Sequence, residues 1–447
     1  MHALAVSEQG TSVHAEGDML VLYRGQTALR RVRVGEIGEV LLFGRIELTA
    51  AAMALLLRRG VDVVLLTQNA VFRGRLLGRS SKNVLVRLAQ YRRTTDPAFC
   101  RQIASAIVVG KIRHQRQVLL RAQRRLQDDQ LAVALGQLRL LSDRAGAAAE
   151  LDTLRGLEGQ AAAVYFGQFN KLLQTGEFRF ERRTRRPPRD PVNALLSFGY
   201  AVLGSVAETE VYRCGLDPLL GFLHQPLYGR PSLMLDLLEE FRPLVDGLVL
   251  RVVNRRQLGL GDFVQRSGRE LADVLNEESG EVGVSEALGE PVAPGDALPS
   301  ATSDDHAATG LELPPSPAVA IGESPPWDES LLAVSDGQSL VPAGASGPAT
   351  AAAAMPLADV DANGEPSEPG ADGTGETPGG AGVIGVYLGD VGRKIFLNEL
   401  FRRLREGLYY PPRDAKLELR DILREQIYHL ARVIEGRQER YQPFVPD

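Results

Sequence analysis

His224 lies in the segment LDPLLGFLHQPLYGRPSLMLDLLEEF. Asp217-Pro218 before it and Gln225-Pro226 after it are turn-forming pairs, so the imidazole is expected at the end of an element. Pro231 suits the first turn of a following helix. On that helix Asp236 and Glu239 are three residues apart and share a face, with Leu233, Leu237 and Glu240 beside them. A carboxylate turned toward leucines is costly unless it is paired or metal-bound. The plain alternative is that both acids face solvent, or that Asp236 pairs with Arg230 or Arg242.

A further carboxylate, Glu158, stands between Gly156 and Gly159 in LRGLEGQAAAVYF. Each glycine inside a helix costs about 1 kcal/mol relative to alanine. Two of them around one acid suggest close approach by another backbone or a ligand; loose packing with an exposed glutamate is the alternative. One imidazole with two or three carboxylates makes a hard, oxygen-rich donor set. It suits Mg2+ or Mn2+ better than a thiolate-seeking metal. Such sites stabilise charge developing at a phosphodiester and orient the attacking oxygen.

Basic residues fit that chemistry. Arg179, Arg182, Arg183, Arg185, Arg186 and Arg189 fall within FRFERRTRRPPRD, and six arginines in eleven positions repel one another unless an anion is near. Arg251, Arg255 and Arg256 follow in RVVNRR, and more basic residues run from Lys111 to Arg125. Contacts of this kind give phosphate affinity without reading sequence, although most such residues singly are just a solvated face.

The elements that must position these groups separate into three stretches. Residues 1 to about 80 hold short apolar runs (MLVLYR, EVLLFG, VDVVLLT, VFRGRLL) broken by Gly, Asp and Asn, which predicts a β-rich domain. One helix is expected within it, near Leu48 to Arg59, with Gly60 as its stop. From 81 to 276, and again from 383 to 447, apolar residues recur three and four apart, which predicts a mostly α-helical domain. In the last stretch GVIGVYL reads as a strand, and KIFLNELFRRLREGL and LELRDILREQIYHLARVI as helices. Between them, 277 to 382 is rich in Pro, Gly, Ala, Ser and acid and lacks a sustained apolar period, so a disordered insert is expected. Trp327, the only tryptophan, falls inside it and reads as a stray linker aromatic. The fold class is thus α+β, a small β-rich domain followed by a larger helical one that the insert interrupts.

The insert also hides the charge of the rest. The 447 residues carry 51 Lys+Arg and 56 Asp+Glu, a net charge of −5. From Leu271 to Gly382 there are 20 acids and no base; taking those away leaves 36 acids against all 51 bases, a net of +15. A basic folded part favours polyanionic partners, nucleic acid first. Two cysteines, Cys100 and Cys214, exclude a disulfide framework, a four-cysteine zinc site and an iron–sulfur cluster, and fit a reducing cytoplasm. The N-terminus lacks the pattern of a signal peptide, and no stretch reaches the roughly 20 apolar residues of a membrane span. No P-loop, no G-x-G-x-x-G between strand and helix, no H-E-x-x-H and no G-x-S-x-G is present. Of the histidines, His114, His224 and His429 are the candidates for chemistry.

These segments together resemble the CRISPR-associated protein one family. The resemblance is carried by LRGLEGQAAAVYF, DPVNALLSFGYAVL, the stretch from Gly215 to Asp246, RVVNRRQL and GVYLGDVGRKIFLNELFRRL. It covers nearly all of the chain outside the insert, which departs from the family pattern. It implies a β domain that dimerises and a helical catalytic domain. It maps metal ligands for Mg2+ or Mn2+ onto Glu158, His224 and Glu239, and an accompanying acid onto Asp236. Many members have Asp where this chain has Glu239. Some members are fused to an iron–sulfur exonuclease or a reverse transcriptase; this chain has too few cysteines for the first and no room for the second. The implied activity is a metal-dependent DNA endonuclease and integrase of CRISPR adaptation, with a DNA 3′-hydroxyl attacking a phosphodiester. The implied partners are double-stranded DNA (spacer precursor and repeat array), a second copy in a homodimer, and the small CRISPR-associated protein two. A branched-DNA repair nuclease would share the site, and a non-catalytic DNA-binding scaffold would make the acids structural.

Overall fold

The computed structural model describes residues 2–78, 83–185, 187–267 and 384–446. The N-terminal stretch forms β1 (His2–Val6), β2 (Thr11–Glu16), β3 (Met19–Arg24), β4 (Thr27–Arg33), β5 (Ile37–Phe43), β6 (Glu47–Leu48), β7 (Asp62–Leu66) and β8 (Phe72–Leu76). One sheet runs β1-β5-β7-β8, parallel except for its β8 edge; the other runs β4-β3-β2-β6. The expected helix is α1 (Ala50–Arg58), capped by the Thr49 hydroxyl accepting from the Ala52 N–H.

Strand β5 explains how the strands meet the rest of the chain. Its sequence IGEVLLF does not alternate, because both faces are buried. Ile37, Val40 and Leu42 pack with Leu55 and Leu56 of α1, whereas Leu41 and Phe43 join the helical core. Glu39 lies on the second face and must be neutralised there; Arg420, itself buried, stands 2.9 Å away.

The helical body comprises α2 (Val84–Thr94), α3 (Pro97–Leu126), α4 (Asp129–Ala147), α5 (Leu151–Gly167), α6 (Phe169–Leu172), α7 (Pro191–Cys214), α8 (Ser232–Asn254), α9 (Asp390–Leu404) and α10 (Leu419–Ile434). Aspartates begin three of the helices. Asp96, Asp128 and Asp190 each accept from first-turn N–H groups, and Pro97 and Pro191 follow two of them. Helix α8 starts one residue later than its proline suggested, with Pro231 at the N-cap. Helices α7 and α8 form the centre. They approach closely at Gly199, where a Cβ would stand 2.5 Å from Val245 Cγ1.

Helix α8 is buried around almost its whole circumference, yet it carries Asp236, Glu239, Glu240, Arg242 and Asp246. Each buried charge needs a partner from another element. This requirement, more than the apolar pattern, fixes what surrounds α8.

The short strands β9 (Phe263–Arg266) and β10 (Gly385–Leu388) pair antiparallel, with Arg266 opposite Gly385. The Val386 N–H also donates to the Pro188 carbonyl at 2.8 Å, joining this ribbon to the arginine-proline segment. A hairpin, β11 (Gly407–Tyr410) with β12 (Ala415–Glu418), separates α9 from α10. The expected insert, 277–382, lies outside the described residues, as do Trp327 and Arg186. Among the described residues, no helix is long and apolar enough to cross a membrane.

Candidate metal centre

The loop between α7 and α8 carries His224, and Asp236 shapes that loop. Both carboxylate oxygens of Asp236 are committed to it. Oδ2 accepts from the N–H groups of Phe222 and Leu223 at 2.5 and 2.9 Å; Oδ1 accepts from the N–H of His224 at 2.9 Å and from its Nδ1 at 2.6 Å. Asp236 therefore neither faces solvent nor pairs with Arg230 or Arg242. Asp236 thereby fixes the ring through Nδ1 and leaves Nε2 as the nitrogen free of that contact. The approach requires glycine at 221, where a Cβ would stand 2.8 Å from both Asp236 Oδ2 and the Ser232 carbonyl carbon.

Glu239, one turn further along α8, points elsewhere. Its side chain is 4 % exposed, with Lys111 Nζ 2.5 Å from Oε2 and Arg242 3.3 Å from Oε1. Oε2 nevertheless has no hydrogen bond of good geometry. Burial alone would raise its pKa; Arg242, Lys111 and the nearby His224 more than offset this and hold it down to about 2. Arg242 is kept in place by the Tyr200 ring, 5.1 Å from its guanidinium.

Glu158 reaches the same ammonium from α5, where Lys111 donates to its Oε1. Burial would depress the pKa of Lys111, but Glu158 and Glu239 overcome that and raise it. One turn before Glu158, Arg155 donates from Nε and Nη2 to the Leu223 carbonyl at 3.2 and 2.8 Å, tying α5 to the His224 loop. At Gly156 and Gly159 no backbone approaches: a Cβ at either would meet nothing within 4 Å. Their effect is to leave the face around Glu158 uncovered.

Glu158 and Glu239 thus converge on one cation, and His224 lies near enough to influence Glu239. Among the described residues, however, no three of His, Cys, Asp and Glu enclose a metal position as they stand. The Lys111 ammonium bridges the two carboxylates. The donor set itself, two carboxylates and an imidazole Nε2 with no thiolate, fits Mg2+ or Mn2+.

The other two candidate histidines, His114 and His429, make hydrogen bonds within the helical body. His114 is buried, donates from Nδ1 to the Glu240 carbonyl at 2.9 Å, and is held neutral by burial, which lowers its pKa to about 3. His429 accepts from the Gln442 N–H at 3.0 Å.

The arginines divide. Arg179, Arg182, Arg189, Arg255 and Arg256 are exposed; Arg185 is half-buried. Arg183 departs from the expectation of a phosphate-facing side chain. It donates to Asn193 Oδ1 at 2.8 Å and to Ser197 Oγ at 3.0 Å, lies over the Tyr200 ring, and burial lowers its pKa to about 10. Its role is to brace the loop entering α7. Lys111, Arg155 and Gly221 were missed as site residues in the sequence. The available signal was Lys111 itself, one of only five lysines in the chain, placed among Ile107, Val108 and Ile112.

A β-rich front and a helical body around one charge-bearing buried helix, on which Glu158, Glu239, His224 and Asp236 converge, define an α+β protein. The family model described as CRISPR associated protein Cas1 matches residues 4–286, and the chain belongs to that family. It is 40% identical over 279 residues to "CRISPR-associated endonuclease Cas1 2" of Rhodospirillum rubrum, covering 60% of this chain and 80% of the relative. It is also 40% identical over 274 residues to a "CRISPR-associated exonuclease Cas4/endonuclease Cas1 fusion" of Geobacter sulfurreducens; that match covers 59% of this chain and spans 49% of the fusion's length. A solved "Cas6-RT-Cas1--Cas2 complex" shares the fold, with a TM-score of 0.64 at 20% identity over 99% of this chain and 36% of that one.

Proposed function

We propose that this protein is a divalent-metal-dependent DNA endonuclease and integrase of CRISPR adaptation, inserting spacer DNA into a repeat array. The observation that carries the reading is the convergence of Glu158 and Glu239, from different helices, on one buried cation beside an imidazole whose Nδ1 is fixed by Asp236. Glu158, Glu239 and His224 Nε2 would hold Mg2+ or Mn2+. When bound, such an ion supplies Lewis-acid polarisation of a phosphate. Asp236 keeps the imidazole in one tautomer, and Arg242 keeps Glu239 ionised. Exposed Arg179, Arg182, Arg189, Arg255 and Arg256 would hold DNA phosphates, positioning a 3′-hydroxyl for attack on the repeat; water in its place would give cleavage. Family membership supports a homodimer, an assembly with the small Cas2 protein and a cytoplasmic setting.

The test uses a plasmid carrying a repeat and a short duplex with free 3′-hydroxyls. Joined product should form with Mn2+ or Mg2+, and disappear with chelation, with 3′-dideoxy ends, and in Glu158→Ala and His224→Ala variants that still bind DNA. Joining that survives exhaustive chelation rejects the metal reading. Cleavage of branched DNA without repeat-directed joining would identify a repair nuclease, and binding without either reaction a scaffold.

A further inference from the structure

Lys111 marks where the two carboxylates converge but was given no role of its own, although it touches two of the three side chains assigned to the metal. It arises from the middle of α3, its side chain is 8 % exposed, and its ammonium contacts Glu158 Oε1 and Glu239 Oε2. Most of the site's negative charge is already matched without a metal. Glu158, Glu239 and Asp236 bring three negative charges, and Lys111 and Arg242 bring two positive ones. A dication added to that set would leave a buried excess of positive charge, which is costly. One resident cation must therefore release the carboxylates.

The contacts show which. Arg242 is held by Glu239 and the Tyr200 ring and is carried on the same helix as Glu239. Lys111 is a point charge on a flexible stem with three rotatable donors, and its two ion-pair partners are Glu158 and Glu239. It also explains why the three ligands do not enclose a metal position as they stand.

We propose that Lys111 is the resident cation of the metal-free site: it holds Glu158 and Glu239 together on α5 and α8, and it competes with the divalent metal for them. The inference rests on the metal reading. Its role is positioning: it preorganises two ligands from separate helices at the expense of metal affinity.

The test compares Mn2+ binding and melting in the full chain. Lys111→Met keeps most of the volume and removes the charge. Without its competitor, Mn2+ should bind more tightly by about tenfold to hundredfold, the worth of one hydrogen bond to a charged group. The metal-free variant should melt lower than wild type, and Mn2+ should restore more of its stability than it adds to wild type. Equal or weaker Mn2+ binding by a folded Lys111→Met overturns the proposal.

A wild-type measurement covers the case in which that variant does not fold. Acetylation of Lys111, read by mass spectrometry after cleavage at arginine, should be slow without metal and several-fold faster with Mn2+. Exposed Lys394, 68 % accessible, serves as the reference. Unchanged Lys111 labelling in protein that has bound Mn2+ also overturns it. If wild type binds no Mn2+ at all, the metal reading fails instead, so the two failures are distinct.

Discussion

Replacing Asp236 by Asn is the sharpest probe of how the site is built, because it changes one atom in a buried carboxylate that accepts four hydrogen bonds. The amide has one acceptor oxygen where the carboxylate had two. If the oxygen stays toward His224, the new NH2 faces the N–H groups of Phe222 and Leu223, which the carboxylate meets at 2.5 and 2.9 Å. Two buried donors are then orphaned, at about 1–3 kcal/mol each. If the amide flips, its NH2 meets His224 Nδ1 and forces the ring proton onto Nε2, which removes the lone pair a metal needs. The first outcome predicts a loss of about 2–6 kcal/mol in stability. The second keeps more stability but lowers metal affinity about 10- to 100-fold. Chemical denaturation without metal, together with Mn2+ titration calorimetry, separates the two. Wild-type stability with wild-type Mn2+ affinity in Asp236→Asn would refute the assignment of Asp236 as the anchor of His224.

Other perturbations follow from the same geometry. Gly221→Ala should clash with Asp236 and the Ser232 backbone and cost about 1–3 kcal/mol, with weaker Mn2+ binding; a melting curve unchanged from wild type would contradict the close approach. Burial pushes the Glu240 carboxyl up to about 7 against donation from Tyr441, Phe444 and Gln426. A folded pKa above the unfolded one gives stability that is full below about pH 4.5 and lost as pH rises through about 7, so wild type should lose about 2 kcal/mol relative to Glu240→Gln between pH 5 and pH 8. Parallel stability curves for the two proteins would reject it. Asp246, raised to about 6, has the same sign but is present in both. Deleting residues 280–380 should leave stability nearly unchanged. Arg266 and Gly385 are already paired at the base of that loop, and closure entropy changes by only about 0.6 kcal/mol per doubling of length. Since 271–382 holds 20 acids and no base, the same deletion should tighten binding to random duplex at low salt, with the gain shrinking as salt rises; identical binding across a salt series would make the insert a spacer only.

The residues that the fold brings together were legible by type: an imidazole between turn-forming pairs, two acids on one helical face, one acid between glycines. Their division of labour was not. Asp236 and Glu239 look equivalent in SLMLDLLEEF, and only the path of residues 217–231 turns one toward His224 and the other toward Lys111. Lys111 lies 128 positions before Glu239, so no local pattern links them. Arg183 illustrates the opposite error, since six clustered arginines read as one surface although Asn193, Ser197 and Tyr200 draw one inward. The long helices were readable from period, whereas β9 and the β11–β12 hairpin were too short to carry one. The unalternating IGEVLLF still read as a strand from its β-rich surroundings, but its double burial needed the helical body.

The buried charges of α8 also set how this sequence can change over time. Glu239 is matched to Lys111, Glu240 to Tyr441, and Asp246 to Tyr165 and Tyr200, partners that lie far away in the chain. A substitution at either member strands a polar group, so drift at these positions must proceed in pairs. A helix exchanged alone from a distant homologue would arrive without its counterparts. Glu240→Leu should cost more than Tyr441→Phe, because it also strands the Phe444 N–H and the Gln426 amide, whereas Tyr441→Phe leaves one carboxylate oxygen unpaired.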